Sequence, residues 1–269
     1  MNEPRPLDDN GASAELYRTV LASLHDAGIA FVVGGTYAME RLAGVARLTK
    51  DLDLFVLADD WPAIEQTLQR SGVEAHIEFS HWLAKATRSP DQVDLIFAGG
   101  NGFVRVDADW ISHGTPGVVL GFPVHICPAE EMIWSKAFVM ERERFDGADV
   151  LHIIRRSGRD LDWHRLVRRF GDHGNVLLAH LLLFLFVYPD ATDLVPDWLM
   201  DTLWARRAQQ PFPADRVCRG TLLSRAQYLV DVHAWGYADA RAEPHGRMTD
   251  DEIAEWTAAV EPAMVPSPT

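Results

Sequence analysis

Residues 29–55 constrain this chain more than any other stretch. An apolar, β-branched run at 29–33 (IAFVV) stops on Gly34-Gly35, a helical segment over 36–42 follows, and a second apolar run at 52–57 opens beside Asp51 and Asp53. Short runs of this kind read as buried strands. A strand that breaks on two glycines and enters a helix brings bare backbone N–H groups to the helix start. Negative charge is favoured there, and glycine lets a ligand approach closely. Asp51 and Asp53 lie two apart on a predicted strand, so their carboxylates share one face while Leu52 and Leu54 take the other.

The flanks extend this pattern. Leu16, Val20 and Leu24 recur at i, i+4 and i+8 in a helix over 14–27 that Gly28 ends, and Asp60 precedes a helix over 61–70 that stops at Gly72. Strand-like pieces follow at 73–79, 82–87, 92–97, 118–120 and 124–126. After Cys127-Pro128 helical spacing takes over, at 130–143, 147–156, 161–170, 176–188, 196–208, 216–240 and 249–260. The expected class is therefore α+β, with a mixed-sheet domain over 1–157 and an all-helical domain over 158–269. The seam is placed near Ser157-Gly158. The stretch 176–188 is the longest apolar run; it is interrupted by His180, too short to span a bilayer, and reads as a buried helix.

Charge narrows the function. With 25 Lys+Arg against 39 Asp+Glu the chain carries −14, which excludes broad duplex binding through phosphate contacts and a polybasic membrane anchor. A cationic acceptor, or a ligand brought in through a metal ion, fits that charge. Only three of the basic residues are lysines, Lys50, Lys85 and Lys136, so each marks a place where an ammonium stands and arginine is the default. Two cysteines make no disulfide framework, and the first residues show no leader pattern, so the expected setting is cytoplasmic. The histidines lack zinc-ligand spacing, and neither GxSxG nor GxxxxGK[ST] is present.

A third acid completes the candidate constellation. Asp94 sits in the apolar strand VDLIF at 93–97 and stands beside Asp51 and Asp53 if the strands are neighbours. Three gathered carboxylates resist ionising together, and hard divalent cations with oxygen ligands offset that repulsion. Two Mg²⁺ ions can clamp the attacking and leaving oxygens of an in-line phosphoryl displacement. Asp107-Ala108-Asp109 is a second Asp-x-Asp pair with no such context and reads as surface.

The ordered set Gly34-Gly35, Asp51/Asp53 and Asp94, with the Arg47-x-Thr49 lead into Asp51, resembles the nucleotidyltransferase superfamily that includes DNA polymerase beta. The likeness is to its minimal bacterial antibiotic-modifying and toxin-like members. It extends to Lys136 followed by Arg144, Asp146 and Asp149, and covers roughly residues 28–155. The resemblance implies a Mg²⁺-dependent enzyme that moves a nucleoside monophosphate from an NTP such as ATP to an acceptor hydroxyl and releases pyrophosphate. It casts Asp51, Asp53 and Asp94 as catalytic and metal-holding residues, with Asp94 helping to deprotonate the acceptor. Gly34, Gly35, Thr36, Arg47, Thr49 and Lys136 are the expected nucleotide contacts. Arg47 can equally orient the two aspartates from behind, and Lys136 can equally be a surface residue. A small-molecule acceptor is the expected partner. The alternatives are a toxin-like or regulatory enzyme acting on tRNA or protein, with an antitoxin partner, and a non-catalytic nucleotide-binding module. A tRNA acceptor would need a basic patch, for which Arg165, Arg168 and Arg169 are the candidates, although the cluster reads first as a solvated helix face.

Overall fold

The computed structural model describes residues 12–46, 51–210 and 215–259. Two compact units emerge, one of Met1–Gly99 with Arg105–Pro128, the other of Gly100–Val104 with Ala129–Thr269.

In the first unit the elements run α1 (Ala12–Asp26), β1 (Phe31–Val33), α2 (Gly35–Ala43), β2 (Asp51–Val56), α3 (Trp61–Arg70), β3 (Glu74–Phe79), β4 (Leu83–Arg88), β5 (Asp91–Ile96), α4 (Ala108–Ser112), β6 (Thr115–Val119) and β7 (Phe122–Ile126). The strands form one mixed seven-stranded sheet in the order β3-β4-β5-β2-β1-β7-β6. Pairs β2/β5 and β1/β7 are parallel and the others antiparallel. Alternation divides the β4–β5–β2 region into two faces. Ala84, Ala86, Val93, Leu95, Leu52 and Leu54 form the buried face. Helix α1 lies on it, because Ser13 donates to Asp91 and Glu15 pairs with Arg88, both residues in phase with that face. The predicted stripe Leu16, Val20, Leu24 is accordingly buried. Lys85, Gln92, Asp94, Asp51 and Asp53 occupy the opposite face. Asp107 caps α4, its side chain accepting from the Asp109 N–H at 3.0 Å, and both acids are exposed as expected.

The second unit holds α5 (Ala129–Ala137), α6 (Gly147–Ser157), α7 (Trp163–Phe170), α8 (Gly174–Val187), α9 (Asp197–Gln209), β8 (Val217–Cys218), α10 (Leu229–His233), β9 (Ala238–Asp239) and α11 (Asp250–Ala258). The division therefore falls after Pro128, ahead of the expected seam at Ser157-Gly158. The reason is packing: α5 lies against α6 and α7, and α6 against α8, burying Met132, Ile133, Val150, Ile153 and Ile154. Residues 100–104 belong with these helices. Phe103 contacts the rings of Trp134, Phe138 and His173, and the Asn101 amide donates to the Leu222 carbonyl at 2.8 Å.

Four expectations are corrected here. The helix expected over 130–143 ends at Ala137, where the chain turns back so that Met140 N–H donates to Leu223 and Met140 pairs with Phe145. The stretch 216–240 is broken rather than helical: β8, a 3-10 turn, α10 and β9 share it, with Gly220 pressed against the Tyr228 ring and Gly236 at φ +71. Helix α8 is buried on one side only, with Leu182, Leu183, Phe186 and Val187 exposed. Finally, of Arg165, Arg168 and Arg169 only Arg168 faces solvent, so the three make no solvated basic face. Arg165 pairs with Glu130 and Glu131, and Arg169 with Glu131, in the interior of this unit.

By length and composition alone, Trp163–Val187 is a helical run apolar enough to cross a membrane, with an 18-residue window at mean hydropathy 1.5. A 3-10 turn at Gly171–His173 divides it, and the inward arginines tie its first half to α5.

His180 is fully buried in α8; its Nε2–H donates to the Ala137 carbonyl at 3.0 Å, while Nδ1 is buried without a hydrogen-bond partner. Burial lowers the pKa of both His180 and His173 below the ordinary 6.5. Below that value the unfolded chain takes up protons that the folded chain refuses, so stability falls as pH drops through and under it. The melting temperature should decline between about pH 7 and pH 5.5. His180→Gln, which offers a donor but no titrating ring, should shrink that decline. An identical pH profile for the variant would show that His180 does not drive it.

Candidate active site

Strand register assembles the site. In the parallel β2/β5 pair Asp53 stands directly opposite Asp94, and Asp51 opposite Gln92. In the antiparallel β4/β5 pair Lys85 stands opposite Asp94. Partners in register share a face, so one row crosses three strands as Lys85, Asp94, Asp53, with Gln92 and Asp51 in the next row. All five side chains are half-buried.

The glycine pair closes on this row. Gly34 N–H donates to the Asp53 carbonyl at 2.9 Å, and Gly34 begins α2 as its N-cap. A Cβ added at Gly34 would lie 2.3 Å from the Phe55 ring, and one added at Gly35 would lie 1.7 Å from Asp53 Oδ2. Gly35 also has φ +52, a conformation that L-side chains resist. Both glycines are thus required by the side chains of β2. The start of α2, with half-buried Thr36 in its first turn, is brought against the Asp53 carboxylate, where the positive end of the helix favours negative charge.

Electrostatics mark the acids. Burial pushes the Asp94 carboxyl above its ordinary value; Lys85 opposes the shift, while the charges of Asp51 and Glu78 add to it. Asp94 Oδ1 is shielded from solvent and accepts no hydrogen bond; the Lys85 ammonium lies 3.6 Å away. On α1, the Tyr17 hydroxyl is held protonated well beyond the usual phenol range, by burial first and then by the field of Tyr37, Asp51, Asp91 and Asp53.

Among the described residues no three His, Cys, Asp or Glu side chains close on one point to cage a metal by themselves. The carboxylates still suit Mg²⁺, which is usually held by one or two of them with substrate phosphates completing the shell. The shielded Asp94 Oδ1 faces Asp53 across the strands and accepts no hydrogen bond, its nearest charge being an ammonium 3.6 Å away, and in that sense the residues fit.

Arg47 and Thr49 lie outside the described residues. Lys136 sits in the helical unit, its ammonium 2.9 Å from Asp146 and 2.8 Å from Asp149, and Arg144 pairs with Asp146. These partners hold the Asp146 carboxyl below its ordinary value, against the opposing effect of burial. Lys85 and Gln92 escaped the sequence reading as site residues. Strand alternation combined with the scarcity of lysine is the signal that could have placed Lys85 there.

Replacing Gly35 by alanine should lower unfolding free energy by about 1–3 kcal/mol. Gly72→Ala serves as the control, since Gly72 has φ +70 but open space around it and meets only backbone strain. Urea unfolding that ranks Gly35→Ala no worse than Gly72→Ala would refute the packing against Asp53.

Residues 16–98 match the family model of aminoglycoside-2''-adenylyltransferase. The search of curated proteins found no match. Among solved structures, ANT(2")-Ia in complex with adenylyl-2"-tobramycin is 16% identical over 73% of this chain and 99% of that chain, at a TM-score of 0.40. Lincomycin-bound lincosamide adenylyltransferase LnuA is 13% identical over 54% and 98%, at 0.38. An antigenic nucleotidyltransferase-like protein from Paracoccidioides brasiliensis is 19% identical over 68% and 92%, at 0.41.

Proposed function

We infer that this chain is a nucleotidyltransferase, a reading supported by the match of residues 16–98 to the aminoglycoside-2''-adenylyltransferase family model. The chain transfers a nucleoside monophosphate from an NTP, with ATP the first to test, to a hydroxyl of a small acceptor bearing amines, and releases pyrophosphate. The observation that carries this reading is the facing pair Asp53 and Asp94, set beside a helix start that only glycines allow.

Asp51 and Asp53, from one strand face, would hold Mg²⁺, with Asp94 completing the set. When bound, the ions would neutralise the phosphates and stabilise charge on the attacking and leaving oxygens. The free N–H groups at Gly35 and Thr36 would receive phosphate oxygens. Asp94 would accept the proton of the acceptor hydroxyl as its oxygen bonds to the α-phosphorus. The bond from that phosphorus to the bridging oxygen then breaks, and the electron pair leaves with pyrophosphate. A chain at −14 draws a cationic acceptor toward it, a steering effect that salt would weaken. Amine-bearing antibiotics of the aminoglycoside class are therefore the acceptors to test first.

With Mg²⁺, labelled ATP and an aminoglycoside panel, the intact chain should form a labelled adduct. Asp53→Asn should reduce its rate at least about a hundredfold while circular dichroism stays unchanged. Equal transfer by the variant would remove Asp53 from the chemistry. No adduct on any panel member would remove the small-molecule acceptor.

A further inference from the structure

We propose that Lys85 is the resident cation of the acidic face: its ammonium offsets Asp94 while no divalent ion is bound, and an incoming divalent ion must compete with it. The inference rests on the reading of Asp51, Asp53 and Asp94 as a cation-holding set.

Position comes first. Lys85 is the cross-strand neighbour of Asp94, which is the cross-strand neighbour of Asp53, so the ammonium ends the row that the two acids begin. Its Nζ donates to Gln92 Oε1 at 3.3 Å and stands 3.6 Å from Asp94 Oδ1, too far for a hydrogen bond to that oxygen. The amide of Gln92, opposite Asp51, anchors the ammonium, and its hold on Asp94 is electrostatic.

Such a hold is strong enough to matter and loose enough to yield. Lys136 supplies the contrast within the same chain, locked at 2.8–2.9 Å between two buried carboxylates with 5–9% side-chain exposure. Lys85 and Asp94 keep 20% and 19%. Side-chain type agrees. A guanidinium would grip a carboxylate through two parallel bonds, whereas an ammonium is a compact point charge on a flexible stem. This chain uses arginine almost everywhere else, and the strand opposite Asp94 carries a lysine.

A monovalent charge that balances Asp94 also repels a divalent ion drawn to the same oxygens. Removing it should make the ion bind more readily, an effect opposite to that of general structural damage. Calorimetric titration of the full chain with Mg²⁺ in the presence of a nonhydrolysable ATP analogue reads this directly. Lys85→Gln should lower the half-saturating Mg²⁺ concentration about tenfold, and Lys85→Arg should not. Equal half-saturation in Lys85→Gln and the unmodified chain, or a higher value in the variant, would overturn the role of Lys85 alone. If the unmodified chain itself shows no Mg²⁺ response, the cation reading of the three aspartates fails first and this proposal with it.

A second measurement needs no variant and so survives misfolding of Lys85→Gln. With three lysines in the chain, acylation followed by mass spectrometry resolves each one. Mg²⁺ alone should raise the labelling rate of Lys85 about twofold or more as the ammonium leaves Asp94. Lys136 should not change. An unaltered Lys85 rate at Mg²⁺ concentrations that bind would overturn the displacement.

Discussion

Carboxylates set opposite each other on neighbouring strands repel, and the first unit is arranged around one such pair. A regular sheet gains nothing from Asp53 facing Asp94, since like charges at opposed positions destabilise it. Compensation arrives from both ends of the row. Lys85 stands beyond Asp94 on β4, and the positive start of α2 stands against Asp53 on β2. The glycine pair accompanies this arrangement, because a Cβ at Gly35 would meet the Asp53 carboxylate and one at Gly34 the Phe55 ring. Local cost of this kind, supported by a rigid surround, is what a site for charged ligands looks like in a fold.

The helical unit handles its buried charges in the opposite manner. Glu130, Glu131, Arg165 and Arg169 pair with one another across α5 and α7, with Arg165 Nε left buried without a hydrogen-bond partner, and Lys136, Asp146 and Asp149 pair across α5 and α6. Breaking a buried pair by removing one partner costs about 3–5 kcal/mol, so such clusters fix how helices meet even where an apolar core would be as stable. Two networks of close ion pairs and one row with a looser pair thus coexist in the chain. The difference is one of distance: the networks hold their ions at 2.5–2.9 Å, whereas Lys85 stands 3.6 Å from Asp94.

Much of the first unit was legible because its signals are local. The stripe Leu16, Val20, Leu24, the break at Gly34-Gly35 and the alternation around Asp51 and Asp53 each follow from a few residues and one period. The union of Asp94 with Asp53 was legible only as a conditional, since it depends on strand order, and a parallel pairing between distant segments leaves no trace in spacing. Failures came where sequence distance hides partners. Arg165 and Arg169 have the periodicity of a solvated face, and only the glutamates of α5 turn them inward. The 216–240 stretch has helical spacing, but the ring of Tyr228 pressed on Gly220 and the positive φ of Gly236 break it into pieces.

Residues 100–104 leave the sheet unit, enter the helical one and return, so the polypeptide crosses between the two three times. A border drawn at Pro128 therefore describes compactness but not separability. A gene fragment starting at residue 129 would encode helices without Phe103, the ring their aromatic cluster closes around, and without the Asn101 amide that ties down the Leu222 carbonyl. The helical unit is thus no exchangeable cassette. Recombination that grafted it onto another sheet domain would have to carry residues 100–104 with it.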